Sequence, residues 1–303
     1  MSGRGDADSA LPNLIVIGAM KCGTSALHYY LGMHPEVQMS RPKELDFFIT
    51  ENDFDPAPYA GDSQSAHLLR NAANWSQGAD WYAGHFSASF PVRGESSISY
   101  TFPWYRGTAE RMTATVPDAR LIFMVRHPIE RIVSHYLQFH SRDRRPLSAA
   151  VADTGSPYLA LSRYASILEP YLERFDRDRI LIIRQEDLLA ERPETMAEVF
   201  SFLGVASDFW SPKMESLRNR SEGKGRMYRL AERVRTRSTA LRRLASPVTA
   251  RLERLLSASA KSRARPSLDH AQAREVLAEL EEDIARLERL TGWDLNTWRR
   301  PPL

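Results

Sequence analysis

Cysteine is almost absent from these 303 residues: Cys22 stands alone. A single thiol excludes an internal disulfide and fits a reducing compartment. Lysine is scarce as well, with 5 Lys among the 41 basic residues and Arg in the other 36, a bias suited to a GC-rich bacterial genome. No apolar run approaches the roughly 18 to 20 residues that span a bilayer. The stretch Met1 to Ala10 is polar and lacks the apolar centre of a secretory leader. The expectation is a cytoplasmic bacterial protein. No group of His, Cys or Asp has metal-ligand spacing, so no metal is expected.

What is present points to a large core. The chain is 43% apolar, enough for one large α/β domain or two small ones. Residues 1–12 read as a flexible tail and 13–303 as a single domain. Leu14-Ile15-Val16-Ile17 is a short β-branched run bounded by Asn13 and Gly18, the pattern of a buried strand in a parallel sheet. A helix is predicted from Thr24 to about His34, stopped by Pro35. Further strands are predicted at Val92–Tyr100, Leu121–Val125 and Ile180–Ile183. Pro128 suits the first turn of a helix running through Phe139. Ala271–Leu290 is an amphipathic helix with Val276, Leu277, Leu280, Ile284, Leu287 and Leu290 on one side. Strands alternating with helices predict an α/β fold, a parallel β-sheet flanked by helices.

Charge is spread unevenly. Arg218 to Arg265 holds 15 Lys+Arg and 3 Glu, a net of +12 in a chain whose total is +3, so the remainder carries −9. Leu230, Val234, Leu241, Leu244, Val248, Leu252 and Leu255 recur there at helical steps on either side of Pro247. The segment reads either as a surface helix with its arginines in water or as a mobile cover over an anionic ligand. A peripheral contact with an anionic surface is a third use for it.

Two motifs carry phosphate chemistry. The first is Gly18-Ala19-Met20-Lys21-Cys22-Gly23-Thr24-Ser25, between strand and helix. Glycines permit a tight turn, and helix N-terminal amides favour a bound phosphate. Gly18 and Gly23 have the spacing of a Walker A loop, but Thr24 follows the second glycine and the lysine lies inside the loop as Lys21. The strand at 121–125 ends in Arg126 rather than in a metal-holding acid. A P-loop nucleotide or small-molecule kinase is therefore the alternative reading, and the displaced lysine counts against it. The second motif runs from that strand through Arg126-His127-Pro128 to Ser134. Arg126 stands at a strand's carboxyl end, where open α/β sheets bind ligands, and its guanidinium fork suits a phosphate.

These residues resemble the PAPS-dependent sulfotransferases, whose fold is P-loop NTPase-like and whose donor is 3′-phosphoadenosine-5′-phosphosulfate (PAPS). The resemblance is strongest to the glycosaminoglycan branch and its bacterial relatives, over roughly residues 13–228 and 280–298. It implies that Lys21, Cys22, Gly23, Thr24 and Ser25 form the 5′-phosphosulfate loop, with Lys21 on the bridging and phosphate oxygens and no catalytic role for Cys22. It implies Arg126 and Ser134 at the donor's 3′-phosphate, and Lys224, Gly225 and Arg226 as a loop closing over the donor. Trp81-Tyr82 with Phe86, Gly94-Glu95-Ser96-Ser97-Ile98-Ser99-Tyr100, Tyr164 and Gln185-Glu186-Asp187-Leu188 add matching positions, Tyr164 among the donor-binding ones. Several glycosaminoglycan members have Lys where this chain has Ser96. Arg41-Pro42-Lys43-Glu44-Leu45-Asp46-Phe47-Phe48 resembles the segment that supplies the catalytic base, which assigns Glu44 as base. His67, His85, His135 and His140 are the fallback bases, because other branches use a histidine. The products expected are PAP and a sulfated glycan, lipid or natural product, with no metal required and no nucleic-acid partner.

Overall fold

The computed structural model describes residues 10–57, 73–139, 145–216 and 265–302. Five strands form one parallel sheet: β1 (Leu14–Gly18), β2 (Val37–Met39), β3 (Val92–Ser96), β4 (Arg120–Val125) and β5 (Ile180–Arg184), in the order β2-β3-β1-β4-β5. The helices include α1 (Thr24–Leu31), α2 (Gly78–Ala83), α3 (Thr108–Thr115), α4 (Pro128–Phe139), α5 (Tyr164–Leu172), α6 (Gln185–Ala190), α7 (Arg192–Leu203) and α8 (His270–Thr291). This is the expected α/β fold. Every residue of β1 is buried, as a central strand of a sheet covered on both faces requires. From β1 the chain goes to the β3–β2 side, and from β4 it goes to β5. The two connections part between β1 and β4, and such a switch point opens a ligand crevice at the strands' carboxyl ends.

Packing explains where the predicted boundaries moved. The strand expected through Tyr100 stops at Ser96, and Ile98–Thr101 curls into a 3₁₀ turn. Ser97 and Tyr100 turn their hydroxyls back onto the Glu95 carboxylate, which bends the chain out of the sheet. Helix α1 ends three residues before His34, because His34 leaves the helical path to bond Ala206 O at 3.1 Å and pack between Phe200 and Phe209. Strand β2 was not anticipated; three residues are too few to show a period. Gly94 pairs with Leu14 across β3 and β1, and a Cβ there would lie 2.9 Å from both Leu14 Cδ2 and Met39 Sδ.

Helix α8 opens on a capping box between Asp269 and Gln272 and buries Val276, Leu277, Leu280, Ile284 and Leu287, while Leu290 stays partly exposed. Its Asp283 carboxylate accepts the amides of Ala165 and Ser166, at 3.0 and 2.9 Å, and so caps α5 from a distant part of the chain. At the other end, Leu11 packs on the core and its carbonyl accepts Arg93 Nε at 3.0 Å. Residues up to Leu217 and from Leu268 onward form one unit, and Arg218–Ser267 form a second. The basic stretch discussed above lies outside the described residues except for Arg265. Among the described residues, no helix is long and apolar enough to cross a membrane.

Candidate active site

The loop after β1 is tied to the neighbouring strand by Ala19 N donating to Met124 O at 2.8 Å. Lys21 (φ 71°) and Gly23 (φ 96°) both take left-handed conformations, which fold the loop back into α1. Gly23 is the N-cap of α1, and no side chain caps that end. A Cβ at Gly23 would stand 3.1 Å from Gln185 Nε2, so the backbone and the first residue of α6 approach closely. Bonds back to the Gly23 carbonyl begin at Ala26 N, so the Thr24 and Ser25 amides precede them at the positive end of the helix. The Ser25 side chain is exposed beside them.

Lys21 reaches from this loop to α4, where its ammonium donates to Gln138 Oε1 at 3.1 Å. Ser134, one turn earlier, is buried. Arg126 leaves the end of β4 and pairs with Glu130 at 2.8 Å. Tyr164 donates its hydroxyl to the Arg126 carbonyl at 2.7 Å and lies 3.6 Å from Cys22 Sγ. The structure thus places Lys21, Gly23, Thr24, Ser25, Arg126, Ser134 and Tyr164 around the carboxyl ends of two adjacent strands. The Cys22 thiol faces inward, and burial pushes it up to about 12. Any approach of Cys22 to a ligand runs through its backbone. Lys224, Gly225 and Arg226 lie outside the described residues.

Glu44 is brought to the same place from a separate segment. Lys43 Nζ lies 2.9 Å from Glu44 Oε1 and 3.4 Å from Thr24 Oγ1, so one ammonium bridges the carboxylate and the phosphate loop. Of the fallback histidines, His85 and His135 are described, and neither shares this position. His135 is buried with Nδ1 3.3 Å from Arg131 Nη1. Burial first, then the charges of Arg131 and Lys21, hold its imidazole well below the ordinary range. Nδ1 therefore serves as the acceptor and the ring stays neutral. His85 bonds the Trp81 carbonyl one turn back at 2.9 Å. His67 and His140 lie outside the described residues.

Three features escaped sequence reasoning. Arg131 is fully buried, and its guanidinium donates to Ser162 Oγ at 2.7 Å, Tyr158 O at 2.5 Å and His135. All three acceptors are neutral, so a positive charge persists beneath Lys21 and Arg126. Arg131 sits inside the second motif, but only its burial distinguishes it from the chain's other arginines. His28, one turn after Thr24, bonds Ser96 Oγ at 2.9 Å. Lys43 lies inside the Arg41–Phe48 motif, and its place between Glu44 and Thr24 comes from the tertiary structure.

The arrangement gathers the cations Lys21, Lys43 and Arg126 near the N-terminal amides of α1, with the Glu44 carboxylate on Lys43 and the Glu130 carboxylate on Arg126. Comparison with known proteins shows what it belongs to. The family model described as "Sulfotransferase family" matches residues 12–211. The chain belongs to the sulfotransferase family.

A crystal structure of a sulfotransferase from Alicyclobacillus acidocaldarius superimposes with a TM-score of 0.66 at 25% identity, over 95% of this chain and 99% of that one. Among curated relatives, the heparan sulfate glucosamine 3-O-sulfotransferase 3B1 of Mus musculus is 29% identical over 66% of this chain and 48% of its own length. The membrane-associated sulfotransferase kil1 of Dictyostelium discoideum is 32% identical over 45% of this chain and 25% of its own. The chain spans a quarter to about half the length of such curated relatives. Family membership decides between the two readings of the phosphate loop: this sulfotransferase is not placed with the P-loop kinases.

Proposed function

We propose that this sulfotransferase takes a sulfuryl group from PAPS and passes it to a hydroxyl or amine of a small acceptor, with an amino-sugar glycan as the first class to test. The observation that supports it best is the meeting of the 18–25 loop and the Arg126–Ser134 motif at the ends of β1 and β4, with Glu44 held beside them by Lys43. The loop amides, Lys21, Thr24 and Ser25 would hold the 5′-phosphosulfate, and Arg126 and Ser134 the 3′-phosphate. Tyr164 supports Arg126 from below. Lys224, Gly225 and Arg226, which the resemblance assigns to the donor, lie outside the described residues. The glycan preference rests on the similarity to the heparan sulfate sulfotransferases; lipids and natural products are the other acceptor classes.

The chemistry follows from charge. The acceptor oxygen or nitrogen attacks sulfur in line with the departing phosphate oxygen. Glu44 takes the acceptor's proton as the new bond to sulfur forms. The S–O bond to the phosphate breaks, and Lys21 steadies the negative charge that collects on the bridging oxygen. PAP leaves with that charge, and the sulfated acceptor leaves with the SO₃ group. The test is incubation with sulfur-labelled PAPS and a panel of glucosamine oligosaccharides, sterols and host extract, read by mass spectrometry. Release of PAP in step with one labelled, mass-shifted acceptor is expected. Failure to bind PAP in calorimetry would overturn the donor assignment.

A further inference from the structure

Glu95 is fully buried at the carboxyl end of β3, and three hydroxyls converge on it. Tyr82 and Tyr100 donate to Oε1 at 2.5 and 2.6 Å, and Ser97 donates to Oε2 at 2.7 Å. A hydroxyl has one proton to give and two lone pairs with which to accept. With the protons of Ser97 and Tyr100 committed to Glu95, both oxygens face the opposite way as acceptors. Ser97 Oγ takes the amides of Leu45 and Asp46, each at 3.0 Å. Tyr100 OH takes the amides of Phe47 and Phe48 at 2.9 and 3.5 Å. Four successive amides immediately after Glu44 thus hang on two oxygens whose direction one carboxylate sets. On the other side of Glu44, the Lys43 carbonyl accepts Ser96 N at 3.3 Å and Ser40 Oγ at 3.1 Å.

We propose that Glu95 is the positioning residue for Glu44: as a carboxylate accepting three hydroxyl protons, it locks the Lys43–Phe48 loop so that the base stands beside the phosphate loop. The inference rests on Glu44 being the base. It accounts for an acid, rather than an amide, at this buried place. A glutamine would present an N–H₂ toward Ser97. The serine oxygen would then accept from glutamine and release one of the two loop amides.

The experiment compares Glu95→Gln, Tyr100→Phe and Glu44→Gln in the full chain, measuring kcat, the KM for PAPS, PAP affinity by calorimetry and fold by circular dichroism. Glu95→Gln is expected to lower kcat by on the order of tenfold or more, since a base displaced by a fraction of an ångström loses its attack geometry. PAP affinity should stay within about twofold, which separates turnover from donor binding. Tyr100→Phe removes one of the two anchors and should show the same split, which covers the case in which Glu95→Gln does not fold. Added to Glu44→Gln, the Glu95→Gln change should cost little more, because the two act as one unit. Undiminished turnover by Glu95→Gln, beside an inactive Glu44→Gln, would overturn the positioning role alone. Equal loss of PAP affinity and turnover would overturn it too, by showing general damage. Normal turnover by Glu44→Gln would instead sink the base assignment.

Discussion

The ammonium of Lys21 donates to Gln138 at 3.1 Å, joining the phosphate loop after β1 to the helix that carries Ser134. In the proposed mechanism this cation meets charge that appears only as the S–O bond breaks. Lys21→Ala should therefore lower kcat by on the order of 10²-fold or more, as loss of one transition-state donor does. PAP should still bind through the remaining contacts. Steady-state kinetics with calorimetry decide this, and an unchanged kcat removes Lys21 from the mechanism.

Arg126 is paired with Glu130 at 2.8 Å, so a phosphate must compete with that carboxylate. Charge-assisted bonds contribute roughly 1.5 to 3 kcal/mol each, and Arg126→Ala should weaken PAP binding on that scale. The loss should shrink for a donor analogue lacking the 3′-phosphate. Equal losses for both would put Arg126 elsewhere than at the 3′-phosphate.

Glu44→Gln retains shape but removes the proposed proton acceptor. PAPS affinity should survive while turnover collapses in single-turnover assays. A near-normal rate would return the role of base to a histidine. His135 would then need its proton affinity restored, for burial and the nearby Arg131 and Lys21 charges suppress it.

Cys22 offers a test of the loop's packing. With the thiol pushed up to about 12 by burial, almost no thiolate exists near neutral pH, and the thiolate is the reactive form. A chromogenic thiol reagent at mild pH should leave the native protein unmodified, then react with its single thiol after denaturation. Fast reaction of the native protein would mean that the loop opens.

His28 links the site to acid stability. Burial first, then the Lys43 charge, hold its imidazole down to about 4 from an ordinary 6.5, against an opposing backbone bond from Ser40. The fold thus favours the neutral ring, and the unfolded chain takes up the proton first as pH falls. The contribution is complete above 6.5 and is lost progressively between 6.5 and 4. Urea midpoints across that window should fall toward acid, and His28→Gln should flatten the slope. An unaltered slope would show that other groups set it.

The sequence by itself determined the elements whose signal is local. Leu14–Ile17 and Leu121–Val125 read as buried strands because they are unbroken apolar runs between polar boundaries. Pro128 marked the start of α4 because its ring pre-sets a helical φ. The glycine spacing of the first loop and the Arg126–Ser134 interval were legible for the same reason: each is a few residues long. Tertiary structure alone decided how separate segments meet. Leu45 and Ser97 stand 52 positions apart, and Lys21 and Gln138 stand 117 apart. Hydrogen bonds over such separations leave no period in the chain, and a residue's type does not show whether it will be buried. That is why Arg131 looked like any other arginine, Glu95 carried no assigned role, and the strand predicted through Tyr100 ended four residues early.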